Sequence, residues 1–183
     1  MESRRLLLSP PSLLLADQMY QVIDESRSEF SQFLPWVTES LTKSDLIDNI
    51  ELAVENYNQF CGEFWFNIVE KKSRVFIGAI GFIVRDPCVP YFEIGYWLQT
   101  SKTGLGYISE AIELVEQYAF IEKQAKRVEI KMAASNEKSQ SVAQRCGYLL
   151  EGRLASARRL PSGMLDDTLI YAKTEISRRS REL

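Results

Sequence analysis

The chain changes its hydrophobic period several times, and each change marks an element. Leu15, Met19, Val22 and Ile23 recur at helical spacing, so residues 12–26 read as an amphipathic helix behind a first strand at residues 4–8. FLPW, residues 33–36, is a turn with two aromatics. Ser44 is the predicted N-cap of a second helix that ends near Phe60, with Ile47, Ile50, Val54 and Tyr57 as its stripe. The period then shortens to two. EFWFNIVE (63–70), a polar KKSR turn and VFIGAIGFIV (75–84) predict a hairpin, and the loop DPCVP leads to a third strand, YFEIGYWL (91–98). The junction KTGLGY opens a long helix to about Glu122, with Ile108, Ala111, Ile112, Val115 and Ala119 on its apolar face. RVEIKMAA (127–134) is the next strand, residues 136–145 form a short helix, and GYLLEGRLASARRL with LDDTLIYAKTE make the last strand pair. The order β-α-α-β-β-β-α-β-α-β-β predicts an α+β domain with a mostly antiparallel sheet flanked by helices.

Composition narrows this picture. A length of 183 residues with 45% hydrophobic content fits one domain with one sizeable core. The reading is a single domain over 1–183, with a core to residue 175 and a basic, solvated tail at 176–183 carrying Arg178, Arg179 and Arg181. A net charge of −3 argues against direct nucleic-acid binding, which wants a basic face. Cys61, Cys88 and Cys146 show no CxxC spacing, and the chain has no His, so no metal site is expected. Sparse, odd cysteines suggest reduced thiols in a cytoplasmic protein. Pro10, Pro11 and Asp17 interrupt the apolar start, which does not read as a signal peptide, and no stretch reaches membrane-spanning length.

The most informative segment is the junction from YWL through KTGLGY into the helix. A Gly-rich turn that opens a helix presents unpaired N–H groups and the positive end of the helix dipole, and so suits a phosphate or pyrophosphate. Gly104 and Gly106 let the backbone approach the anion. An ordinary strand-to-helix turn has the same composition. A dinucleotide-binding fingerprint is excluded, because position 109 is Ser where a third glycine is required.

EIGYWL followed after five residues by GLGYISEA resembles the EIGYWL-x5-GKGYA-x-EA signature of the GNAT N-acetyltransferases, in the branch that acetylates N-termini of ribosomal proteins. NEKSQSVAQRCGYLLEGRL resembles that branch's N-x-x-S-x-x-V-A-x-x-x-GF-x-x-EG-x-L, in the right order and spacing. The resemblance implies a GNAT fold in which acetyl-CoA lies in a V-shaped gap between two splayed strands, here 91–98 and 127–134. The backbone at Trp97, Leu98 and Gln99 would pair with the pantetheine arm. The amides of Thr103, Gly104, Leu105, Gly106, Tyr107 and Ile108 would hold the pyrophosphate, and Asn136 would bond the pantetheine arm. Lys102 and Lys138 are candidates for the 3′-phosphate, or solvated surface lysines.

Two departures stand out. The family's Gln or Arg before the first motif glycine is Thr103 here, and the Tyr that many members place four residues before the GF pair is Ala143. Direct transfer needs orientation, a hydrogen bond to the thioester carbonyl, a route for the amine proton and a proton for sulfur. A backbone N–H near Leu98 is placed for the carbonyl. Glu93, on the strand face of Gly95 and Trp97, is either the base acting through water or half of a cross-strand ion pair. Ser139, which fills the family's N-x-x-S position, is either the acid or thiol-side hydrogen-bond donor, or a first-turn Ser bonded to its own backbone. The acceptor reading is the N-terminal α-amine of a ribosomal protein. The alternatives are a small amine such as an amino sugar, polyamine or drug, and a catalytically silent CoA-binding module. The expected state is monomer or homodimer, with no membrane partner.

Overall fold

Thr42 begins the longest helix, and it does so through a reciprocal pair of bonds. Its side chain accepts from the N–H of Asp45 at 3.2 Å, and the Asp45 carboxylate accepts from the N–H of Thr42 at 2.9 Å. The cap is therefore Thr42 and not Ser44, because only Thr42 has an acidic residue three positions on to close the box. The computed structural model describes residues 1–86 and 88–175. The expected basic tail with Arg178, Arg179 and Arg181 lies outside the described residues, as does Pro87.

The strands are β1 (Leu6–Ser9), β2 (Glu63–Glu70), β3 (Val75–Asp86), β4 (Tyr91–Leu98), β5 (Arg127–Ala133), β6 (Leu149–Arg159) and β7 (Leu165–Lys173). The helices are α1 (Ala16–Glu25), α2 (Arg27–Phe30), α3 (Lys43–Gln59), α4 (Tyr107–Gln117) and α5 (Glu137–Arg145). The predicted order holds, with one addition: the first helical stretch breaks at Ser26 into α1 and the short α2. One seven-stranded sheet runs β1-β2-β3-β4-β5-β7-β6. All neighbours are antiparallel except β4 and β5.

Strand alternation gives the sheet two covered faces. Phe64, Phe66, Phe82, Phe92 and Ile94 pack with Ile108, Ala111, Ile112 and Val115 of α4. On the other face Phe76, with Trp65 and Trp97 against it, packs with Met19, Val22 and Ile23 of α1, Phe30, and Leu46 and Ile50 of α3. A buried ion pair ties α4 to β7, with Lys173 Nζ 2.8 Å from Glu116 Oε1. Among the described residues no helix is long and apolar enough to cross a membrane.

Candidate functional site

The parallel pair β4–β5 is the weak seam of the sheet. It holds only at Tyr91↔Arg127, Phe92↔Val128 and Glu93↔Glu129. Beyond Glu93, β4 stays with β3 as far as Gly78↔Leu98, while β5 stays with β7 as far as Ala133↔Thr168. The two strands thus open into a V whose floor is the Glu93–Glu129 rung. This is the splayed geometry that the family resemblance implies.

Backbone direction decides which residues line the V. The N–H of Gln99 is accepted by Ile77 at 2.8 Å, so it points toward β3. Backbone polar groups alternate sides along a strand. Those of Trp97 therefore face β3 as well, while those of Leu98 and Tyr96 face the gap. Of the expected trio Trp97, Leu98 and Gln99, only Leu98 offers its backbone to a ligand in the V, and Tyr96 joins it.

The turn behind β4 is built as a cradle. Gly104 and Gly106 have φ of 77° and 78°, the left-handed region that a residue with a Cβ rarely adopts. Gly106 is the N-cap of α4, and the first intrahelical bond there is from Glu110 N–H to the Gly106 carbonyl at 3.1 Å. The N–H groups of Tyr107, Ile108 and Ser109 precede it and have no intrahelical acceptor. Thr103 differs from the expectation: its N–H is accepted by Thr100, and so is its hydroxyl, at 2.8 Å. The cradle therefore runs from Gly104 through Leu105, Gly106 and Tyr107 to Ile108. Arg5 supports it from the bend just before β1. Its guanidinium donates to the Leu105 carbonyl at 2.9 Å, pairs with Glu110 at 2.6 Å and lies over the Tyr107 ring. Lys102 is engaged by Glu70 at 3.0 Å, and the Tyr107 hydroxyl bonds the same carboxylate. Lys138 is exposed.

Across the V, Asn136 caps α5. Its Oδ1 accepts from the N–H of Ser139 at 3.0 Å, which leaves the amide nitrogen as its donor. The Ser139 hydroxyl does not turn back onto its own helix. It lies 2.8 Å from the hydroxyl of Tyr96. Cys146 is half-buried, and burial pushes its thiol up, which suits packing and not nucleophilic attack.

The opposite face of the V carries Glu93, Gly95 and Trp97. A Cβ on Gly95 would meet nothing within 4 Å, so the floor between Glu93 and Trp97 is bare. Trp36, 41% exposed, stands beside Trp97 with ring centroids 6.2 Å apart. Glu93 is buried and gripped by two cations, Arg85 Nη2 at 2.6 Å and Lys131 Nζ at 3.3 Å. Of its two readings the arrangement favours the ion pair, since both cations converge on its Oε2. Glu129 is likewise held by Arg127 at 2.6 Å, Lys131 at 3.0 Å and the Tyr91 hydroxyl. Arg158 reaches this face beside Thr168, opposite Ala133.

Sequence reasoning missed Arg5, Arg85, Lys131 and Tyr96. A spacing rule does not reach them, because Arg5 and Leu105 are 100 positions apart, and Tyr96 and Ser139 are 43 apart. Among the described residues no cluster of His, Cys, Asp and Glu could hold a metal ion.

The acetyltransferase (GNAT) domain family matches residues 5–149. The chain is 31% identical over 159 residues to a ribosomal-protein-serine acetyltransferase of Escherichia coli (strain K12), covering 85% of this chain and 84% of that protein. Among solved structures it is similar to the microcin C7 self-immunity acetyltransferase MccE in complex with acetyl-CoA and AMP. The TM-score there is 0.86 at 28% identity, over 94% of each chain. It also shares its fold with RimL, a ribosomal L7/L12 α-N-protein acetyltransferase in complex with coenzyme A. That match has a TM-score of 0.88 at 22% identity, over 94% of this chain and 95% of that one.

Proposed function

Since this chain belongs to the GNAT acetyltransferase family, and its donor is acetyl-CoA, we propose that its acceptor is the N-terminal α-amine of a ribosomal protein. Acetyl-CoA supplies the activated acetyl group as a thioester. The residues present fit it. The backbone of Leu98 is turned into the gap for the pantetheine arm, and a left-handed glycine turn at the start of α4 suits the pyrophosphate. Asn136 Nδ2 is the donor for the pantetheine amides. The Leu98 N–H polarises the thioester carbonyl, and Ser139 gives the departing sulfur its hydrogen bond. Water takes the proton from the amine.

The observation that carries the acceptor reading is the charge balance on the open face. Both carboxylates at the floor of the V, Glu93 and Glu129, are matched by Arg85, Arg127 and Lys131. A polyamine or amino sugar wants uncompensated acid there. With both of these carboxylates held by cations, the site suits an amine that is already partly neutral. A protein α-amine has a pKa of about 7.7, against about 10.4 for Lys. The name of the Escherichia coli relative points the same way.

The test compares kcat/KM, by thiol release, for three kinds of acceptor: a Ser-starting peptide, the same peptide with a blocked N-terminus and one internal Lys, and a panel of amino sugars and polyamines. The free N-terminus should win by about two powers of ten over Lys, following the neutral fractions. A win for the blocked peptide or a small amine overturns the acceptor assignment.

A further inference from the structure

Ala143 is fully buried, so α5 has no phenol to offer the site. A phenol arrives from the other side of the gap. Tyr96 projects from β4, and its hydroxyl lies 2.8 Å from Ser139 Oγ and 3.3 Å from the Ser139 carbonyl. It is the one side chain of β4 with a hydrogen bond to α5 among the described residues. We propose that Tyr96 is a positioning residue, which aims the Ser139 hydroxyl at the leaving sulfur. The proposal rests on the placement of Ser139 at the thiol side given above.

Burial pushes the Tyr96 phenol well above its ordinary range, so it keeps its one proton, and of the two Ser139 oxygens within its reach the hydroxyl, at 2.8 Å, is nearer than the carbonyl, at 3.3 Å. Asn136 already holds the Ser139 backbone through its N–H. What remains free in Ser139 is the side-chain rotamer and the direction of its O–H. A serine hydroxyl has one proton and two lone pairs. When Tyr96 donates to one lone pair, the rotamer is fixed and the Ser139 proton is released for another acceptor. The same bond polarises the hydroxyl and strengthens what it donates. No proton passes through Tyr96. The C–N bond forms, the C–S bond breaks, and sulfur leaves as a thiolate hydrogen-bonded by Ser139. The thiolate then takes its proton from solvent, and the amine gives its own to water.

The experiment is a double-mutant cycle of Tyr96→Phe and Ser139→Ala. Thiol release from acetyl-CoA is followed both with a Ser-starting peptide and with water alone as acceptor. The water reaction contains the same leaving-group step and does not depend on which amine is the physiological acceptor. Tyr96→Phe keeps the buried ring and removes only the hydroxyl. Its kcat should fall about tenfold, with the acetyl-CoA dissociation constant by calorimetry within about twofold of wild type. In the Ser139→Ala background Tyr96→Phe should cost nothing more, because the group it positions is gone. An unchanged kcat in Tyr96→Phe, losses that multiply in the double variant, or a weakened dissociation constant with kcat intact would each overturn the proposal. Failure with every amine but a coupled loss in the water reaction would sink the acceptor reading and leave this one standing.

Discussion

The guanidinium of Arg5 reaches from the head of β1 to the carbonyl of Leu105, 100 residues on, at 2.9 Å. The same side chain pairs with Glu110 in the first turn of α4 at 2.6 Å. One residue thus braces both the glycine turn and the helix whose N–H groups form the cradle. Arg5→Ala frees the turn, and acetyl-CoA must then order it on binding. The expected result is a dissociation constant raised about fivefold, equivalent to one ordinary hydrogen bond of about 1 kcal/mol. Titration calorimetry reads it, and an unchanged constant would show that the turn holds its shape without Arg5.

Gly106 sets a sharper test. Its φ of 78° at the N-cap of α4 is strained for any L side chain and most of all for a β-branched one. Gly106→Val should lose acetyl-CoA binding and fold with a stability lower by about 1–3 kcal/mol. In wild type, acetyl-CoA at 100 times its dissociation constant should add about 2.7 kcal/mol, seen as a higher Tm. The variant should show no such rise, and a normal rise would place the pyrophosphate elsewhere.

Glu93 faces Arg85 and Lys131, so Glu93→Gln leaves Arg85 without its carboxylate and Lys131 with Glu129 alone. The expected outcome is a lower Tm, from a loss of roughly 1–2 kcal/mol in a pair partly open to solvent. The fall in kcat/KM should be uniform between pH 6.5 and pH 9. A loss concentrated at pH 6.5, where the substrate amine is protonated, would instead make Glu93 the base.

Glu70 gives the fold an acid-sensitive point beside the cradle. Hydrogen bonds from Ser73, Tyr107 and Lys102 hold its carboxyl down from 4.5 to about 2. The folded value lies below the unfolded one, so its contribution is complete above pH 4.5 and is lost as pH falls toward 2. Urea midpoints of wild type and Glu70→Gln should therefore differ at pH 7 and converge on acidification through that window. A gap that stays constant would mean that the charge of Glu70 carries none of its effect.

Much of this protein was written in its local pattern. Alternating apolar residues placed β2, β3 and β4, helical spacing placed α4, and the run GLGYISEA marked the glycine turn that opens it, because φ preference and period act within a few residues. The pattern misplaced the cap that Thr42 takes from Ser44 through Asp45 and missed the break at Ser26. Long-range assembly decided the rest. The direction of each backbone group in the V followed from which neighbour strand claimed Gln99, and that turned the backbone polar groups of Trp97 and Gln99 toward β3 and away from the gap. The partners of Glu93 came from β3 and β5, and the phenol for Ser139 came from β4. The ion pair of Glu116 and Lys173 is buried only because β7 lies against α4. Sequence by itself fixed the elements and the glycine turn, since those depend on neighbours along the chain. Tertiary structure alone decided which charges cancel and which hydroxyls meet, since hydrogen bonds and ion pairs act over a few ångströms between residues far apart in sequence.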